Sequence, residues 1–173
     1  MCAPYKASLP PVADWMLMSQ CDVLDRFASL PDAVTAGEGQ RRFVFVPGRR
    51  ADRVLLVAHS DTVWEEEPIR LACLDDRKFG PILHSAEFGR QDGLGIGADD
   101  RAGCAILWEL RNLGHSLLVT SGEEQGCIAT LWIMTSEWWE TELNSHRFAV
   151  QFDRRGRSDT CLPSLKPGPS GVR

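Results

Sequence analysis

Two hydrophobic periods alternate along the chain. Trp15, Met16, Met18, Val23, Leu24 and Phe27 recur at spacings near three and four. That pattern predicts a helix over 13–29, closed by Pro31. Residues 35–40 read as a Gly-containing loop and 42–46 as a strand stopped by Pro47-Gly48. Val54-Leu55-Leu56-Val57-Ala58 is an unbroken apolar run, the pattern of a strand covered on both faces. Short strands are expected at 71–74 and 81–83, with a glycine-rich loop over 91–97. Ala102, Ala105, Ile106, Leu110 and Leu113 predict a helix from Asp99 to the natural stop at Gly114. Residues 116–120 read as a buried strand, 128 to about 143 as a second long helix with Leu131, Trp132 and Trp138 on its apolar face, and 148–152 as an alternating strand.

The order helix, strands, helix, strand, helix, strand predicts an α/β fold. Its sheet should be largely parallel or mixed and flanked by helices. Such sheets bind ligands beyond the carboxyl ends of their strands. His59, Glu123, Glu124 and Asp153 each follow a predicted strand, and Asp99 begins a helix reached through the glycine loop. All four segments can therefore meet on one rim.

Those residue types suit a divalent metal. Zinc takes imidazole nitrogen and carboxylate oxygen at about 2.0–2.2 Å, and a carboxylate can bridge two metals about 3.5–4 Å apart. His59 offers the nitrogen. Asp61, two residues on, can accept the other imidazole N–H and orient the ring. Asp99 is the candidate bridge, with Glu124 a ligand to one metal and Asp153 to the other. Glu123 is left to act as a general base, taking a proton from water and returning it to a leaving amine. Each segment also has an ordinary reading. Asp99-Asp100-Arg101 is a plausible helix cap, and Glu-Glu in a Gly-flanked loop is usually solvated. Their joint occurrence at strand ends and a helix start favours the metal site.

Composition bounds this picture. The chain has 173 residues, 43% of them apolar, enough for one domain with a real core. Its formal net charge of -5 gives no basic face for nucleic acid. No apolar run reaches the ~18 residues of a membrane span. The N-terminus lacks the charged and apolar regions of a signal peptide. The six cysteines are scattered with no C-x-x-C pair; an even count permits disulfides, but without a secretion signal reduced thiols and a cytoplasmic location are expected. No cysteine sits in a Gly-flanked turn with a base nearby, which disfavours a cysteine nucleophile. One domain over 1–160 and a Pro/Gly-rich, disordered tail over 161–173 are expected.

As a set, His59-Ser60-Asp61-Thr62, Gly97-Ala98-Asp99-Asp100-Arg101-Ala102-Gly103, Gly122-Glu123-Glu124 and Phe152-Asp153-Arg154-Arg155-Gly156 resemble the motifs of the zinc exopeptidases that include peptidase T, carboxypeptidase G and acetylornithine deacetylase. Asp99 to Ala105 is also similar to the glutamyl aminopeptidases. The resemblance covers about residues 54–156. It implies two zinc ions in the family and one or two here. His59 and Asp153 would hold one metal and Glu124 the other, with Asp99 as bridge. Asp61 would orient His59, and Glu123 would be the base. The implied reaction is amide hydrolysis in a small peptide or N-acyl amino acid, with an aminopeptidase preferred on the wording of the Asp99 and Asp153 motifs.

The sequence departs from that family in length. Many members insert a smaller domain after the Asp153 region and then supply a final metal histidine. Here the remaining histidines are His84, His115 and His146, none in a matching motif. The expectation is therefore a catalytic domain truncated at its C-terminus: a truncated gene product inactive for that reason, a fragment, or a chain completed by self-association or a complementing chain. The competing expectation is a non-catalytic metal-binding or interaction protein of the same descent.

Overall fold

The apolar run ending at His59 forms the central strand of a five-stranded sheet. The computed structural model describes residues 11–63, 71–76, 80–85 and 96–153. Seven strands are present among them: β1 (Val34–Ala36), β2 (Phe43–Val46), β3 (Val54–His59), β4 (Leu71–Asp76), β5 (Gly80–Ser85), β6 (Ser116–Thr120) and β7 (Phe148–Gln151). The main sheet has the order β1-β2-β6-β3-β7, and β4 and β5 form a separate antiparallel pair. Strands β6, β3 and β7 are parallel, while β1 and β2 are antiparallel additions on one side. The sheet is mixed, as expected for an α/β fold.

Alternation within the strands divides the core between two faces, because successive side chains point to opposite sides. Val44, Leu56, Ala58, Leu117 and Val119 pack with α1 (Val12–Met16), α2 (Gln20–Ala28) and α3 (Ala98–Leu110). Phe43, Phe45, Leu55 and Leu118 pack on the other face with Ile133 of α4 (Ile128–Met134) and with Leu143. Both faces being covered explains why these strands are near-continuous apolar runs. Trp15, Phe27 and Trp108 pack ring against ring at 5.5–5.9 Å. The Arg26 guanidinium lies 4.4 Å from the Trp15 ring centroid and 4.7 Å from that of Trp108.

Three local expectations are corrected. The helix predicted over 13–29 is two helices, because Ser19 starts a new one. Its Oγ accepts the Asp22 amide and the Asp22 carboxylate accepts the Ser19 amide, a reciprocal cap. The helix predicted to run from 128 to 143 ends at Met134. There the Thr135 and Ser136 hydroxyls donate back to the carbonyls of Leu131, Trp132 and Ile133. A π-helical turn, Trp139–Leu143, follows. The loop expected from residue 35 contains part of β1, which adds to the β2 edge with Thr35 opposite Val44.

β3 leads through α3 to β6 on one side, and β6 leads through α4 to β7 on the other. The two crossovers lie on opposite faces, the topology that favours ligand binding at the carboxyl ends of the parallel strands. His59 stands there, opposite Thr120 of β6. The tail expected over 161–173, the loop over 91–95 and the cysteines Cys2 and Cys161 lie outside the described residues. Among the described residues, no helix is long and apolar enough to cross a membrane.

Candidate metal centre

His59 is 1% exposed, and its ring is fixed from behind. Its Nδ1 lies 2.9 Å from the backbone oxygen of Asp61, which fits an Nδ1–H donor and turns Nε2 to the open side. The Asp61 carboxylate stands 3.6 Å from Nδ1 and has further partners. Oδ1 accepts the Glu123 amide at 3.2 Å, and Oδ2 accepts the Glu124 amide at 3.1 Å. Asp61 therefore contacts both halves of the site: its backbone holds the imidazole and its side chain holds the tandem-glutamate turn. That turn requires Gly122, whose φ is +66° and whose added Cβ would meet the Gln40 carbonyl oxygen at 2.6 Å.

The open face of His59 Nε2 is ringed by carboxylates. Asp99 Oδ1 lies at 3.4 Å, Glu123 Oε2 at 3.8 Å and Asp153 Oδ2 at 3.8 Å. Nε2 is buried with no hydrogen-bond partner, and so is Glu124 Oε1. Such groups are costly to leave unpaired. Two donor sets have all their ligand atoms within 4.8 Å of one another: His59, Asp99 and Asp153, and His59, Glu123 and Glu124. Adjacent ligands on a tetrahedral zinc are about 3.4 Å apart, given its ~2.1 Å bonds. In the first set, His59 Nε2 already lies 3.4 Å from Asp99 and 3.8 Å from Asp153. The donor types and the orphaned nitrogen thus fit a divalent cation.

Electrostatics point the same way. Burial disfavours a charged His59, but the carboxylates of Asp61, Asp100 and Asp153 outweigh it and raise its pKa to about 9. Burial, then the neighbouring Asp99 carboxyl, raises Asp153 to about 6. Burial and the nearby Asp99 charge raise Glu124. Asp61 moves the other way: burial opposes its ionisation, but the hydrogen bonds it receives keep its pKa low. Protons are held where a cation would relieve the same crowding of negative charge.

All six residues singled out in the sequence stand at this rim. Asp99 and Asp100 divide the work that the sequence left open. Asp99 is 70% exposed at its side chain and faces His59. Asp100 is 2% exposed and caps the helix, its Oδ1 accepting the Gly103 amide at 3.0 Å while Oδ2 accepts the His59 amide at 3.3 Å. Helical backbone begins only after Asp100. Burial, with the Asp153 charge adding to it, raises the Asp100 pKa to about 8. Asp100 and Cys104, whose thiol donates to the His59 carbonyl at 3.2 Å, are supports the sequence reading missed. The Asp-x-x-Gly spacing was the available signal for Asp100. His115 and His146 lie away from the centre: His115 is 3.7 Å from Asp52, and His146 Nε2 is 2.7 Å from Ser116 Oγ at the opposite end of β6. Among the described residues, neither donor set contains a histidine besides His59.

No protein-family model matches the sequence, and no curated protein matches it. Solved structures do. The aminopeptidase PepT from Bacillus cereus ATCC 10987 superposes over 84% of this chain with a TM-score of 0.51 and 15% identity. A tripeptidase from Staphylococcus aureus subsp. aureus mu50 superposes over 83% with a TM-score of 0.52 and 15% identity. The chain shares its fold with part of these peptidases. It spans 42% of the length of each.

Proposed function

We propose that this chain carries the metal site of a hydrolase that cleaves an amide bond in small peptides or N-acyl amino acids, with N-terminal residues of peptides the preferred substrates. The observation that carries the reading is the buried, unpartnered His59 Nε2 facing three carboxylates at 3.4–3.8 Å. The likeness to an aminopeptidase and a tripeptidase supports the peptide substrate class.

His59, Asp99 and Asp153 would hold one zinc, and Glu124 with Asp99 a second, weaker one. Zinc at such a site acidifies water and polarises a carbonyl. The chain's own residues supply the rest. Asp61 fixes the imidazole through its carbonyl and the glutamate turn through its carboxylate. Glu123 Oε2, on the same side as Nε2, takes a proton from water and delivers it to the departing amine. A further ligand from a second copy or a complementing chain belongs to the same proposal, since His59 is the sole histidine in either donor set among the described residues.

The test is hydrolysis of a panel of di- and tripeptides and N-acyl amino acids by zinc-loaded protein, beside Glu123→Gln. Turnover should fall by roughly 10²–10⁴-fold in the variant, with zinc retained. Unchanged turnover, or loss of zinc with the substitution, contradicts the role of Glu123. A second reading, a metal-binding protein without turnover, is favoured by the single histidine. Bound zinc with no hydrolysis of any substrate would select it.

A further inference from the structure

Glu123 has two carboxylate oxygens in different surroundings. Oε2 faces His59 Nε2 at 3.8 Å, and Oε1 lies 3.6 Å from Cys127 Sγ, within reach of a thiol hydrogen bond. We propose that Cys127 is a positioning residue for Glu123: its S–H donates to Oε1 and so presents Oε2 to the reacting side. The inference rests on Glu123 acting as the base.

The placement of the thiol is dictated by the turn. The Cys127 amide donates to the Glu123 carbonyl at 2.8 Å, and the Gly126 amide donates to the same oxygen at 2.9 Å. The Ile128 amide closes the turn onto Gly122 at 2.8 Å. Cys127 thus contacts Glu123 through backbone and side chain at once, and its distance from Oε1 is set by a hydrogen-bonded ring of five residues. Its backbone is left-handed, with φ +57°, a conformation that favours glycine.

The bond also fits the chemistry required. A base must present one oxygen to water and keep that oxygen unprotonated at working pH. A weak, neutral donor on the other oxygen restrains the carboxylate without contributing a competing charge. Cys127 is only partly buried, so the contact can be probed directly.

The experiment pairs a spectroscopic readout with kinetics, using the full chain loaded with zinc. The infrared S–H stretch of Cys127 is assigned by its loss in Cys127→Ala. It should lie at a hydrogen-bonded frequency and move to the free-thiol frequency in Glu123→Ala. With a peptide substrate, Cys127→Ala should lower kcat about tenfold, a fraction of what a general base supplies. KM should stay within about twofold, with zinc content and Tm unchanged. Cys127→Ser, which keeps a donor, should recover most of the loss. A free-thiol frequency in the native chain overturns the proposal. So does equal impairment of the Ala and Ser variants, a kcat loss that follows zinc or Tm, or no kcat change in Cys127→Ala. A hydrogen-bonded stretch in a chain that hydrolyses nothing overturns the hydrolase reading, and the positioning role with it, while leaving the contact itself established.

Discussion

Asp61 Oδ2 accepts the backbone amide of Glu124 at 3.1 Å, while Oδ1 of the same carboxylate accepts the amide of Glu123 at 3.2 Å. One buried side chain thereby fixes the backbone of both tandem glutamates, and the carbonyl of the same residue fixes His59. Asp61→Ala should leave two amides without their acceptor, at roughly 1–3 kcal/mol each where they stay dry. Asp61→Asn keeps one acceptor oxygen and should lose about half as much. Urea denaturation of the three proteins measures this; equal midpoints for Ala and Asn would contradict the two-amide role.

Gly103 is a second point of sensitivity. A Cβ there would lie 2.2 Å from Asp100 Oδ1 and 2.5 Å from the Phe152 carbonyl oxygen. Asp100 in turn binds the His59 amide, and Phe152 precedes Asp153. Gly103→Ala should therefore destabilise the fold by about 1–3 kcal/mol or more through overpacking, and should weaken zinc binding as well. Denaturant midpoint and zinc affinity, measured on the same preparation, check both. An unchanged midpoint would show that the helix start has room that the structure denies.

The strongly periodic parts were legible in the sequence, and so were the chemical types at the site. The Val54 run announced a strand covered on both faces because it is, and the four acidic and imidazole motifs fell at strand or helix ends that do converge. What stayed hidden was set by side chains bonding to nearby backbone. Ser19 and Asp22 divide one apolar period into two helices, and Thr135 with Ser136 ends α4 early although the apolar pattern continues. The separation of Asp99 from Asp100 was legible only through the spacing from Asp100 to Gly103, because two adjacent aspartates otherwise look alike until one is found buried as a cap. Asp61 was expected to orient His59 through its carboxylate; its carbonyl also stands 2.9 Å from Nδ1, with the carboxylate at 3.6 Å, a detail the residue name does not carry.

Without metal, stability should fall as pH rises through the neutral range. His59 is raised from 6.5 to about 9, so its contribution is complete below about pH 6.5 and disappears as pH passes 9. Asp153 and Asp100 are raised to about 6 and about 8. The folded state binds their protons more tightly than the unfolded chain does, so each also makes stability decline between its ordinary value near 4 and its raised one. Asp61, held low, acts only at more acidic pH. Thermal unfolding in chelator should give a higher Tm at pH 6 than at pH 9, and His59→Gln should flatten the upper part of that slope. A Tm that rises from pH 6 to 9 would contradict the crowding of carboxylates around His59.

The most direct test of the central claim is the zinc content of the purified chain by elemental analysis, after zinc loading and extensive dialysis, beside His59→Gln. The site described here predicts at least one zinc per chain in the native sequence and a large loss in the variant. A content near two would mean that the second site is completed as well. No retained zinc in the native chain, or equal zinc in the two proteins, would contradict the metal centre and the hydrolase reading built on it.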